Sequence, residues 1–401
     1  MHDLLTEHLR RRLAESTATD TERRSVAGML SELSAVHSLS QAVHDDPETA
    51  FDEHRSAQRA RDFLGQRGFV VEDVADLPTA FTAVYDAGEP AGSDPFTVAV
   101  CLEYDALPQI GHACGHNIIL GQGLLTAVGL AAVAEETGIR VVVIGCPAEE
   151  HGGGKILLLE QGAFDDADIA IMAHPVPDGY SYDAHSARSL AIGRFRAEFT
   201  GVSAHAAAAP HLGRNANDAA VIAQVAAGLL RQQIRPQERM SLIARDGGCA
   251  TNVISDHAVL DFEFRSDTLT GFAALSARVT RCLEGAAHAA NVELAITSTE
   301  PTYEPLAQDP ALADAWNEVM SRFGRSLLPD RLPVPGSTDM GNVSQRIPSL
   351  HPWVSIPGVQ HPLHSQGFCA AADTIVAYET MIDTALGLTW AALASTPRSR
   401  E

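Results

Sequence analysis

Lysine is nearly missing from this sequence, with Lys155 the only one in 401 residues, so positive charge rests on arginine. No basic run exceeds Arg10-Arg11-Arg12, and the formal net charge is -23. A protein that grips nucleic acid needs a basic footprint to replace the counterions of the phosphate backbone. That partner is therefore excluded, and the acidity reads mainly as a solubility device. Long apolar runs are missing too, since glycine or charge interrupts each one, which leaves no membrane span and no membrane partner. The opening MHDLLTEHLRRRLAESTATD has no apolar core of signal-peptide length. The chain reads as cytoplasmic. Its six cysteines, at 101, 114, 146, 249, 282 and 369, lack the paired spacing of a disulfide framework or a zinc knuckle.

What is present is a globular composition, 45% apolar and 20% charged, on a chain too long for one ordinary domain. Helical periodicity in the first 60 residues puts Leu30, Leu33 and Val36 on one face, and a second amphipathic helix ends at Gly65 and Gly68. Short β-branched runs follow at 81–85 and 96–102, then a Gly/His loop, a helix over 118–134 and a strand over 140–145. Another strand, 169–173, stops at His174. Strand, loop, helix, strand is the order of an α/β fold built on a mostly parallel sheet. From about residue 186 the texture changes to alternating strands around a helix at 217–231. The expected partition is a first domain made of 1–185 and 301–401, interrupted by a smaller α+β lid or dimerisation domain over 186–300.

Four loops carry the chemistry, each at an expected strand end, where the loops of an open α/β sheet converge. CLEYDALPQIGHACGHN offers Cys114 and His116, a thiolate and an imidazole two residues apart that suit a transition metal. A buried cysteine beside two surface histidines is the alternative there. GCPAEEHGGGK offers Glu149 and Glu150, adjacent carboxylates that a metal allows to share one site. Its glycines do not make a phosphate loop, because Glu149 takes the first glycine position of that motif and Ile156 the hydroxyl position. The third loop holds His174 after an apolar strand, and the fourth, HPLHSQG, holds His364. Each histidine alone reads as structural; their joint occurrence with Cys114 and the two glutamates reads as a metal centre.

These loops resemble those of the M20 metallopeptidase and amidohydrolase family, above all the subgroup of aminobenzoyl-glutamate, acyl-amino-acid and dipeptidase-like hydrolases. The resemblance runs from HDDPETAFDEH to HSQGF, and EYDALPQIGHACGHN is its most specific string. It implies two divalent transition-metal ions, Zn²⁺ or Mn²⁺, held by Cys114, His116, Glu150, His174 and His364. Glu149 would be the general base that activates water, and Asp105 would orient a ligand from behind. The implied reaction is hydrolysis of an amide bond in a small N-acyl amino acid or dipeptide.

The segment GVSAHAAAAPHLGRNA resembles the family's lid motif, which implies that His205 stabilises an oxyanion in the partner subunit's centre and that the chain is a homodimer through the lid. Asn252 and Arg265 resemble positions that bind a substrate carboxylate or line the dimer interface. Gly336 and Ser337 open a loop, 336–344, like the family's glycine-rich substrate loop. Asn117, His151 and Glu103 depart from the wider pattern, Glu103 standing where other branches place a metal-binding histidine. Two other readings remain open: a binding or regulatory protein of this fold without catalysis, and a thiol enzyme with Cys114 as nucleophile.

Overall fold

The computed structural model describes residues 1–401 apart from 88–94, 182, 326, 329–335 and 397–401. The chain folds as two compact units, Met1–Arg188 with Leu306–Pro335 and Asn342–Glu401, and Ser189–Pro305 with Gly336–Gly341.

The first unit opens with three helices, α1 (His2–Glu15), α2 (Asp20–Asp45) and α3 (His54–Gly65). Thr19 starts α2 as a capping box, its side chain accepting from the Glu22 N–H while the Glu22 carboxylate accepts from the Thr19 N–H. The core face of α2 is Val26, Met29, Leu33, Val36 and Val43; Leu30 lies at its margin, only partly buried. Strands β1 (Val70–Val74), β2 (Leu77–Tyr85) and β3 (Phe96–Glu103) lead to α4 (His116–Ala131), a short α5 (Ala134–Thr137), β4 (Ile139–Cys146) and α6 (Gly154–Glu160). Strands β5 (Ile169–Ile171) and β6 (His174–Val176) follow. The strand expected over 169–173 thus breaks in two, and His174 begins the second piece instead of ending the first.

The second unit is a four-stranded antiparallel sheet in the order β12-β7-β11-β9, built from β7 (Ala191–Thr200), β9 (Arg239–Asp246), β11 (His257–Ser266) and β12 (Glu293–Ser298). A small ribbon pairs β8 (Ala204–His205) with β10 (Val253–Ile254). Helices α7 (Ala216–Leu230) and α8 (Leu269–Ala290) pack together and against the sheet. Helix α7 buries only alanines, Ala216, Ala219, Ala220, Ala223 and Ala227, and exposes Val221, Ile222, Val225 and Leu229. Apart from Leu230, its larger apolar side chains therefore face away from its own core.

The chain then completes the first unit with α9 (Pro310–Arg322), a short α10 (Met340–Ser344), β13 (Ser349–Leu350), β14 (Trp353–Ser355), α11 (Gln366–Ala371) and α12 (Ile375–Ser395). The six-stranded sheet runs β1-β2-β4-β3-β5-β13, parallel from β4 through β13 and antiparallel at the β1-β2-β4 edge. Central strands β3 and β4 are buried on both faces, which is why they read as continuous apolar runs without alternation. Helix α4, buried along nearly its whole length, lies between β3 and the helices α2 and α12. Among the described residues no helix is long and apolar enough to cross a membrane.

Candidate metal centre

Glu103 and Cys146, the last residues of the parallel strands β3 and β4, are register partners, so the loops after them leave the sheet side by side. Gly115 turns the first of these loops with a φ of 77°, and a Cβ there would stand 2.7 Å from Pro175 Cγ. Glycine is required by both facts, and the turn it makes aims Cys114 and His116 into one site. In the second loop Ala148 takes the left-handed φ of 57°, a conformation that costs a non-glycine residue of order 1–3 kcal/mol. Its N–H donates to Glu53 Oε1 at 2.8 Å, which fixes the approach of Glu149 and Glu150. His364 is likewise left-handed, with a φ of 60°, and its N–H donates to the Ala113 carbonyl at 2.9 Å.

Cys114 is the hub. Its Sγ lies 3.5 Å from His174 Nε2 and 3.4 Å from His364 Nε2, while His364 Nε2 is 3.4 Å from Glu150 Oε2. Two groups share this thiol: Cys114, His116 and His174, and Cys114, Glu150 and His364, each with ligand atoms within 4.8 Å of one another. Bond lengths of about 2.3 Å to sulfur and 2.0–2.2 Å to nitrogen or oxygen give tetrahedral edges of roughly 3.5 Å and 3.4 Å, so these separations fit a metal between the ligands. His174 Nδ1 is 2.7 Å from the Pro175 carbonyl, an acceptor that puts the proton on Nδ1 and leaves Nε2 as a lone pair toward Cys114. His116 Nδ1 is held in the same way by Asp105 Oδ1 at 3.0 Å.

The electrostatics favour a cation. Glu103, Glu149 and Glu150 all stand within 4.0 Å of His116 Nε2. Burial, with Glu150 and Glu149 beside it, pushes the Cys114 thiol well above its ordinary pKa. Burial lowers His116, but Asp105 and Glu103 outweigh it and raise that imidazole well above its usual value. Burial, then His116, pushes His174 down to about 4. His116 Nε2, Glu103 Oε2 and Glu150 Oε1 are buried without hydrogen-bond partners, an arrangement that costs about 1–3 kcal/mol per group unless an ion satisfies them. The donor set, one thiolate with imidazoles and carboxylates, suits a transition metal.

The remaining candidates lie in the second unit. His205 is exposed at the start of a turn, and its Nδ1 accepts from the N–H groups of Ala207 and Ala208 at 3.2 and 3.1 Å, so Nε2 carries the proton as a donor. Asn252 is its neighbour across the ribbon, the Asn252 carbonyl accepting from the Ala206 N–H at 2.9 Å. Arg265 stands apart from them on β11, its Nε donating to Glu263 at 2.8 Å. The Gly336 carbonyl accepts from the Leu190 N–H, and Ser337 Oγ is buried without a partner. Residues 333–335, just before that loop, lie outside the described residues.

Sequence reasoning missed Glu53, a fully buried carboxyl raised to about 7 by burial and then by Asp105. It also missed the pairing of Glu103 with Lys155 and the buried His351, whose ring nitrogens, like those of the buried His112, have no hydrogen-bond partners. The uniqueness of Lys155 was the available signal; for Glu53 there was only its place in the HDDPETAFDEH string.

Comparison with known proteins bears on the family and the fold. Residues 97–386 match the model of peptidase family M20/M25/M40. An Xaa-Arg dipeptidase from Mus musculus is 34% identical over 399 residues, spanning 96% of this chain and 89% of the relative. One of the subunits of p-aminobenzoyl-glutamate hydrolase from Escherichia coli is 30% identical over 71% of this chain and 62% of its own length. Among solved structures, an aminobenzoyl-glutamate utilization protein from Klebsiella pneumoniae superposes with a TM-score of 0.68 at 22% identity, over 90% of this chain and 98% of the other. A dinuclear metal-binding peptidase from Bacillus subtilis does so at 0.63 and 20% identity, over 88% of this chain and 98% of the other. The family model covers most of the sequence, and the chain belongs to peptidase family M20/M25/M40.

Proposed function

We propose that the chain hydrolyses the amide bond of a dipeptide or a small N-acyl amino acid, with Glu149 as general base beside two transition-metal ions, Zn²⁺ or Mn²⁺. The observation that carries this reading is the Cys114 thiol common to two ligand groups, with Glu149 at their edge. Cys114, His116 and His174 would hold one ion, and Cys114, Glu150 and His364 the other. Bound there, the ions supply Lewis acidity toward the carbonyl and make water a stronger acid. Glu149, buried to 6% exposure, takes a proton from water as the water oxygen bonds to the carbonyl carbon. The same carboxyl then returns that proton to the amine as the C–N bond breaks. A sulfur engaged by both ligand groups is not free to act as the nucleophile, which favours water as the attacking group.

His205, with its Nε2 proton directed by the two backbone donors on Nδ1, is suited to stabilise the tetrahedral oxyanion. Asn252, Arg265, Gly336 and Ser337 are the groups proposed for the substrate's carboxylate end, Arg265 exchanging Glu263 for the substrate. The second unit is the proposed dimerisation module. Its support is the exposed row Val221, Ile222, Val225 and Leu229 on α7 and the sheet-edge strand β9, where Ile243 is exposed. The names of the relatives direct the substrate search toward dipeptides with C-terminal arginine and toward aminobenzoyl-glutamate.

The test is a panel of dipeptides with C-terminal basic, acidic and apolar residues, acyl-amino acids and aminobenzoyl-glutamate, run with and without chelator. Chelator-sensitive hydrolysis of an amide in the panel is the expected result. Hydrolysis indifferent to thorough metal removal overturns the metal mechanism.

A further inference from the structure

Lys155 and Glu103 are both completely buried, and Lys155 Nζ donates to Glu103 Oε1 at 2.5 Å. The chain's single lysine is thus spent inside the protein, where an ammonium persists only with a partner. The unexplained part is the other oxygen. Glu103 Oε2 has no hydrogen-bond partner and faces His116 Nε2 at 3.5 Å, and that nitrogen has none either.

The neutral imidazole leaves this pair unsatisfied. With the proton on Nδ1 toward Asp105, Nε2 presents a lone pair to a carboxylate lone pair. A second proton on Nε2 would give an ion pair with Glu103 at 3.5 Å but no hydrogen bond. A cation between the two atoms resolves the contact. Nitrogen and oxygen ligands of one tetrahedral ion, at 2.0–2.1 and 2.0–2.2 Å, stand roughly 3.3–3.5 Å apart. Glu103 Oε2 meets that distance, whereas the nearest oxygens of Glu150 and Glu149 lie at 3.9 and 4.0 Å from the same nitrogen.

We infer that Glu103 is a further metal-binding carboxylate, coordinating through Oε2 the ion held by His116. Lys155 fixes Oε1 and offsets the charge of an ion site already supplied with a thiolate. The inference rests on the metal-centre reading above and adds to it a ligand in the EYD string, at the end of β3.

The experiment is metal binding, not turnover. Full-length chain is stripped with chelator and titrated with Zn²⁺ and Co²⁺, with affinities from chelator competition and coordination from the visible Co²⁺ spectrum. Wild type is expected to take two ions; in Glu103→Gln one of them is expected to weaken at least tenfold, with a changed Co²⁺ spectrum. Lys155→Met breaks the same ion pair but keeps the ligand, so it is expected to retain both ions and the wild-type spectrum. Equal loss in the two variants, or unchanged affinity and spectrum in Glu103→Gln, overturns the inference by making the pair mere scaffolding. Should Glu103→Gln fail to fold by circular dichroism, a crystal structure of metal-loaded wild type decides: Glu103 Oε2 about 2.2 Å from an ion supports the assignment, and beyond about 3 Å it overturns it. A wild type that takes up two ions away from Glu103 defeats this inference alone. One that takes up none defeats the metal centre as well.

Discussion

Asp105 binds His116 through one oxygen and the glutamate loop through the other: Oδ1 lies 3.0 Å from His116 Nδ1, and Oδ2 accepts the Glu150 N–H at 3.0 Å. An ionised carboxylate can only accept, so the proton sits on Nδ1 and the Nε2 lone pair is left for a metal. Asp105→Asn preserves the shape but presents an NH₂ to one of these donors. Metal affinity is expected to fall about 10- to 100-fold, the range for such supporting partners, with little loss of secondary structure. Chelator competition on the purified variant measures it, and wild-type affinity would show that Asp105 only fills space.

Glu149→Gln separates holding the ions from moving the proton. The amide can still hydrogen-bond but cannot take a proton from water, so turnover is expected to drop about 10²- to 10⁴-fold while metal content and thermal stability stay near wild type. Steady-state kinetics beside elemental analysis checks both halves. Near-normal turnover would move the base to another residue.

The metal-free chain is expected to lose stability as pH falls from about 6.5 to 4. Burial, with neighbouring histidines, lowers His174 to about 4, His112 to about 3 and His351 well below its ordinary value. In that window the unfolded chain binds protons at these imidazoles and the folded chain does not, so each lower pH favours unfolding. Glu53 acts in the opposite sense, because its folded pKa of about 7 lies above the unfolded one and its stabilisation grows as pH falls toward 4.5. Three imidazoles outweigh one carboxyl. Denaturant midpoints measured across this range should decline, and a flat profile would mean that the three rings reach water.

Much of the candidate centre was legible because its residues are of types that rarely gather by chance, in segments that follow apolar strands. The pattern singled out Cys114, His116, the Glu149-Glu150 pair, His174 and His364, and the family resemblance chose Glu150 over Glu149 as the ligand. What the pattern could not show is which side chains stand behind them. Glu53 sits far upstream in sequence from the Ala148 N–H it accepts, and nothing local marks it. The break between β5 and β6 was hidden for a related reason: Met172 and Ala173 are as buried and apolar as strand residues, and only the pairing of His174 with Trp353 on β14 reveals a second sheet. The alanine-lined inner face of α7 inverts the usual rule, since, apart from Leu230, its larger apolar residues, which a sequence reading assigns to a core, are the exposed ones.

That exposed row on α7 leads to the last expectation, which concerns assembly. A helix showing Val221, Val225 and Leu229, each at least half exposed, beside an edge strand with unpaired backbone groups, is a surface suited to a second copy about a two-fold axis. The purified chain is expected to be a dimer by light scattering, and Val225→Glu with Leu229→Glu to shift it toward monomer. The family resemblance implies that His205 then serves the partner's centre. Its Nε2 donor makes that chemically suitable, because an oxyanion needs a hydrogen and Nδ1 is already occupied by Ala207 and Ala208. A His205→Ala chain and a Glu149→Gln chain should each be nearly inactive alone. In a mixed dimer, one of the two centres receives an intact base from one chain and an intact imidazole from the other, so mixing should restore activity, up to half per mixed dimer. Differently tagged chains would establish that subunits exchange. If exchange is complete and the mixture stays inactive, His205 does not act across the interface, while the assignment of Cys114 and its partners to the metals is left standing.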